Sequence, residues 1–172
     1  MKIKSTLPQF ENKNALLVVT EKETAKFYIA SEGEIKEVEV IEIDPEEFDR
    51  DSRERIQHRS VGGAVVRGRS SEEEEEKGVS HFLGKLEDKL KNVTKEFDIN
   101  EVYVFSPSYV NNEVVSRIPK KQRELIEENF RGNYSHKHAL KLIEMIKETR
   151  KGKFVKPKSE EAQRIYNKFP EE

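Results

Sequence analysis

The chain has no cysteine and no tryptophan, only two methionines, and aromatic residues make up 8% of it. Without cysteine there can be no disulfide and no thiolate-ligated metal. No apolar run approaches the roughly 20 residues a membrane helix needs, and the N-terminus lacks the apolar core of a secretory signal, so the expectation is a cytoplasmic protein. Net charge is also small, −2 in a chain of 172 residues of which 38% are charged. That near-balance conceals segregation. Lysine and arginine dominate residues 50–69, 117–123 and 147–158, whereas acids dominate 32–49 and 72–76. A small global charge therefore does not exclude a local basic face.

Hydrophobic residues, 34% of the chain, gather in short periodic runs, enough for one domain with a real core. Residues 1–13 read as a polar lead-in and 14–150 as a single α/β domain. Ala15–Thr20 is a continuous apolar run, the mark of a strand buried on both faces. Ala25–Ala30 alternates as a second strand. Ile35, Val38, Val40, Ile41 and Ile43 mark a third, with an irregularity in its spacing. Three strands on short turns predict an antiparallel meander. From about Glu73, Val79, Phe82, Leu83, Leu86 and Leu90 recur at helical steps. Val102–Phe105 is another deep strand, ending at Ser106-Pro107-Ser108. Tyr109–Arg117 can form a short helix closed before Pro119. Residues 138–150 form an amphipathic helix with Leu140, Ile143 and Ile146 on its apolar face. Residues 151–158 read as a basic linker to a short helix near 160–168.

Between the third strand and the first long helix, residues 44–71 hold few core residues, and a loop of that length within a domain is usually functional or disordered. Residues 50–69 hold six of the eleven arginines (Arg50, Arg53, Arg55, Arg59, Arg67 and Arg69) and three of the eight glycines (Gly62, Gly63 and Gly68). Guanidinium groups grip phosphates with planar donors, and glycine lets the backbone approach a polyanion closely. The candidate RNA-binding residues are His58, Arg59, Arg67, Gly68 and Arg69, with Gly62 and Gly63 setting the path of the loop. Affinity of this kind is carried by charge and falls with salt. The competing reading is a solvated loop whose arginines pair weakly with Glu72–Glu76.

Other constellations carry less. His136-x-His138 lacks acidic or thiolate partners at ligand spacing, so no metal or other cofactor is expected. The strand interiors offer no acidic triad for a nuclease, and neither Ser106-Pro107-Ser108 nor Ser135-His136 makes a nucleophile elbow. Phe105 and Phe130 are assigned to the core. Tyr109 and Tyr134 are left as candidates for stacking on bases.

The order β-β-β-α-β-α-β-α, a mixed five-stranded sheet of ribonuclease H-like type with helices packed on it, together with Gly62-Gly63 before the long helix, resembles the middle domain of the archaeal and eukaryotic peptide-chain release factors. It resembles more closely their bacterial relatives, which overlap proteins labelled "host attachment". The resemblance rests on Ala15–Thr20, Ala25–Ala30, Val38–Ile43, His58 with Gly62-Gly63, Phe82–Leu90, Val102–Pro107 and Asn133-Tyr134-Ser135. It implies a loop that reaches into ribosomal RNA or tRNA, in ribosome rescue, quality control or hibernation. The family's Gly-Gly-Gln tripeptide here reads Gly62-Gly63-Ala64. Hydrolysis of peptidyl-tRNA, if the resemblance extends to it, would rest on the backbone of Gly62–Ala64 positioning a water. The "host attachment" label implies a different partner, another protein bound by a non-catalytic adaptor. Residues 120–131 carry both helical propensity, through Gln122–Glu127, and a strand over Leu125–Arg131 that would complete the sheet; the strand is the reading taken, in part on this resemblance.

Overall fold

A computed structural model describes residues 1–21, 24–42 and 71–153. The strands are β1 (Ala15–Thr20), β2 (Thr24–Ser31), β3 (Glu34–Glu42), β4 (Glu101–Ser106) and β5 (Ile126–Arg131). The helices are α1 (Ser71–Glu96), α2 (Asn111–Arg117), the single turn α3 (Lys120–Arg123) and α4 (Ala139–Lys153). Together they make the mixed five-stranded sheet expected from the sequence, in the spatial order β3-β2-β1-β4-β5. β1, β2 and β3 form the antiparallel meander, while β1 pairs parallel with β4 and β4 parallel with β5. Four strands thus run in one direction and β2 alone runs against them.

Both faces of the central strands are covered, which is why β1 and β4 read as unbroken apolar runs. Alternate residues separate into two cores. Leu16, Val18, Phe27, Val102 and Val104 meet Phe82, Leu83, Leu86 and Leu90 of α1 and Val114 of α2. Leu17, Val19, Tyr28, Tyr103 and Phe105 meet Leu142, Ile143 and Ile146 of α4. Leu140, expected on the apolar face of α4, is only partly buried, and Leu142 takes the deeper position.

The irregularity of the third strand is a bulge. Phe27 pairs with Glu39 and Tyr28 with Glu37, which leaves Val38 as the extra residue. Residues 1–13 do more than lead in. Ile3, Leu7 and Phe10 are buried in the α4-side core, and the segment is laced to the β2–β3 turn by Ile3 N to Gly33 O at 2.7 Å and Gly33 N to Gln9 O at 2.7 Å. Three apolar residues spaced through polar neighbours show no regular period, so their burial was invisible to pattern reading. Gly33 has φ +73°, and a Cβ there would lie 2.8 Å from Gln9 Oε1.

Strand wins over helix at 126–131. Pro119 ends α2, and Arg123 donates to the carbonyls of Ser116 at 2.6 Å and Ile118 at 3.0 Å, pinning the one helical turn that follows. The chain then enters β5, where Phe130 stacks on Phe105 with ring centroids 4.4 Å apart. Local propensity yields to an open sheet edge and an apolar partner.

Candidate functional site

The directions of the strands decide where function can gather. β1, β3, β4 and β5 all end at the same edge of the sheet. Open α/β sheets bind ligands outside the carboxyl ends of their strands, where neighbouring connections diverge. From β1 the chain turns back to β2 on one side, and from β4 it crosses to β5 on the other. At this edge the described chain leaves after Glu42 and returns at Ser71. His58, Arg59, Gly62, Gly63, Ala64, Arg67, Gly68 and Arg69 fall between those two points and lie outside the described residues, as does the expected helix near 160–168.

The edge itself is polar. Thr20, Ser106 and Asn111 are buried there. Asn111 Nδ2 donates to Ser106 Oγ at 2.5 Å and to Asn129 Oδ1 at 2.6 Å, and Asn129 Nδ2 returns a bond to Asn111 Oδ1 at 2.8 Å. This amide pair ties α2 to β4 and β5. Thr20 Oγ1 is buried with no hydrogen-bond partner among the described residues. Arg131 closes β5 and reaches Asn112 Oδ1 at 3.5 Å. Nothing in the spacing of Asn111 and Asn129 announces their pairing, because it depends on the crossover from β4 to β5.

Glu21, Asn133, Ser135 and His136 converge at the end of β1. Asn133 Nδ2 donates to Glu21 Oε1 at 3.0 Å. The neighbouring Ser135 hydroxyl and Asn133 amide hold the Glu21 carboxyl below its ordinary pKa, with smaller help from the His136 and Lys26 charges. Ser, His and Glu side by side invite comparison with a hydrolase triad, but the geometry denies it. The Ser135 hydroxyl donates to Asn133 Oδ1 at 3.0 Å, and the His136 side chain is 84% exposed, its Nε2 4.0 Å from Glu21. His138 Nδ1 accepts the Leu140 amide at 3.4 Å in the first turn of α4. Among the described residues no cluster of three or more histidines and carboxylates could hold a metal ion.

The two candidate tyrosines part company. Tyr134 packs edge-on against Phe105 at 5.5 Å and donates to the Arg131 carbonyl at 3.3 Å. Tyr109 stands out into solvent.

The opposite edge carries a second constellation. Glu101, at the start of β4, accepts from Lys13 at 2.9 Å, Tyr103 at 2.9 Å and Arg150 at 2.5 Å. The Arg150 guanidinium also lies 5.2 Å from the Phe10 ring centroid and 5.7 Å from that of Tyr103. A cavity of about 410 Å³ opens beside this cluster. Its charges answer one another, and the arrangement fastens the N-terminal segment, β4 and α4 together.

No protein-family model and no curated protein matches the sequence. Solved structures do resemble the fold. The crystal structure of the archaeal translation termination factor aRF1 superposes with a TM-score of 0.53 at 17% identity, over 87% of this chain and 36% of that one. A structure described only as an archaeal protein matches 89% of this chain and 45% of its own at 10% identity, with a TM-score of 0.44, too weak to support an argument. This chain thus spans little more than a third of the termination factor it resembles, and the likeness is one of fold: the α/β sheet described above is the architecture found in a translation termination factor. No helix of the described residues is long and apolar enough to cross a membrane.

Proposed function

We propose that this chain is a release-factor-like domain that binds ribosomal RNA or tRNA through residues 56–71, in ribosome rescue, quality control or hibernation. The observation that carries the reading is positional. The most arginine-dense stretch of the sequence falls between Glu42 and Ser71 in the chain, and Glu42 ends β3 at the edge where open α/β sheets place their ligand sites. The fold likeness to a translation termination factor supports the same direction. Arg59, Arg67 and Arg69 hold phosphates, His58 adds a donor, and Gly62, Gly63 and Gly68 supply the backbone freedom for close approach. Ala64 brings no side-chain donor or acceptor, so the proposal is of a binding domain, without an assigned reaction.

Co-sedimentation of the purified protein with ribosomes across a salt series tests it, beside an Arg59/Arg67/Arg69→Ala variant. Binding that weakens steeply with salt and is lost in the variant is the expected result. Absence of binding at low salt overturns the reading. Binding insensitive to both salt and substitution points to a packed protein interface instead.

A further inference from the structure

Tyr109 is 67% exposed, the most exposed large apolar side chain among the described residues. The aromatics Phe105, Phe130 and Tyr134 at this edge are used in packing: Phe105 stacks on Phe130, and Tyr134 meets both edge-on. Tyr109 is nonetheless displayed on a fixed support. Pro107 O accepts the amides of Val110 at 3.2 Å and Asn111 at 3.0 Å, and both of those residues are buried. An exposed ring on a backbone that cannot easily rearrange costs little entropy when it meets a flat partner.

Arg131 closes β5 at the same edge of the sheet. It is exposed, and the long contact with Asn112 Oδ1 links the end of β5 to the first turn of α2, two residues beyond the Tyr109 turn. Arg131 has no carboxylate partner among the described residues. Lys137 is exposed in the segment that follows β5. Glu21, at the end of β1, already accepts a hydrogen bond from Asn133 at 3.0 Å. The contrast with the opposite edge is sharp, because Lys13 and Arg150 there are both engaged by Glu101.

We infer that this edge is a contact site for single-stranded RNA, with Tyr109 stacking on an unpaired base and Arg131 holding an adjoining phosphate. The inference rests on the function proposed above and extends it to residues beyond the arginine-rich segment. An exposed ring and a guanidinium whose partner among the described residues is the neutral Asn112 suit a nucleic acid strand better than a protein interface. Base–aromatic stacking accepts any base, and arginine meets the phosphate in planar geometry. Tyr109 follows the end of β4 and Arg131 closes β5, at the edge where Glu42 also ends β3.

The test is fluorescence anisotropy with a fluorescein-labelled single-stranded RNA of mixed sequence, using the full chain. Tyr109→Ala is expected to weaken binding by roughly 5- to 100-fold, the range stacking on one base supplies, while Tyr109→Phe keeps the affinity. Arg131→Ala is expected to lower the slope of log affinity against log salt by about 0.7. Both side chains are exposed, and unchanged thermal melting confirms that neither substitution acts through the fold. Tyr109→Ala binding within about twofold of the parent overturns the inference. If the Arg59/Arg67/Arg69→Ala variant loses binding while Tyr109→Ala does not, this edge fails and the proposed function stands. If Tyr109→Ala weakens binding and the arginine variant does not, the edge stands and the arginine-rich segment fails. A parent protein that binds no single-stranded RNA overturns the inference, and the proposed function is then decided by the ribosome co-sedimentation alone.

Discussion

Arg150→Met removes a cation from the cluster that joins three parts of the chain, while keeping much of its apolar stem. In the parent, Nη2 of Arg150 donates to Glu101 Oε2 and to the Tyr103 hydroxyl, both at 2.5 Å. The Glu101 side chain is only 10% exposed and that of Arg150 39%. Hydrogen bonds to charged groups contribute about 1.5–3 kcal/mol each when shielded, and cation–π contacts of partly exposed groups about 0.5–1. Solvent reaches Arg150, so the expected loss is about half that sum over two bonds and two contacts, roughly 2–4 kcal/mol, or about 4–16 °C in Tm.

The pH dependence is the sharper test. Burial is the largest single influence on Glu101 and would raise its pKa. The hydrogen bonds from Lys13 and Tyr103, with the charges of Arg150 and Lys13, together outweigh it and hold the pKa below its ordinary value of 4.5. A carboxyl with a depressed folded pKa contributes stability above its unfolded pKa and loses it as pH falls through the folded value. Urea unfolding of parent and variant is therefore expected to show the full difference near neutral pH. The gap should narrow below about pH 4 as Glu101 takes up its proton. A difference that stays constant across that range, or a variant as stable as the parent at neutral pH, would refute the assignment of Glu101 as a charged anchor.

Three further outcomes follow from the packing. Thr20→Val is expected to leave stability unchanged or raise it by up to about 1 kcal/mol in chemical denaturation, because Thr20 Oγ1 has no partner among the described residues and a same-shape apolar group removes the desolvation cost; a loss above that size would reveal a bond. Asn111→Ala strands the Ser106 hydroxyl and the Asn129 amide and is expected to cost about 2–4 kcal/mol by the same measurement, since buried polar groups left unpaired carry their full desolvation penalty. Gly33→Ala places a Cβ against Gln9 Oε1 at a positive φ and is expected to cost about 1–3 kcal/mol, with faster hydrogen exchange at the Ile3 and Gly33 amides than elsewhere in the sheet.

Much of this architecture is legible in one dimension. The unbroken runs Ala15–Thr20 and Val102–Phe105 announce strands buried on both faces, and both are central in the sheet. Phe82, Leu83, Leu86 and Leu90 repeat at helical steps because one face of α1 lies on that sheet. The spacing of Val38 and Val40 discloses the bulge before any partner strand is known. The arginine and glycine density of residues 50–69 is likewise a property of sequence alone, and the proposed ligand class rests on it.

Other features exist only through long-range contact. Ile3, Leu7 and Phe10 have no period to betray them, and α4 and β2 determine their burial. The Glu101–Arg150 pair bridges 49 residues and the Asn133–Glu21 pair 112, separations over which no local pattern can speak. Tyr109 and Tyr134 are equal as letters in the sequence. Tertiary structure turns one against Phe105 and leaves the other in solvent, because the crossover from β4 to β5 brings the second ring, and not the first, over the apolar face of the sheet.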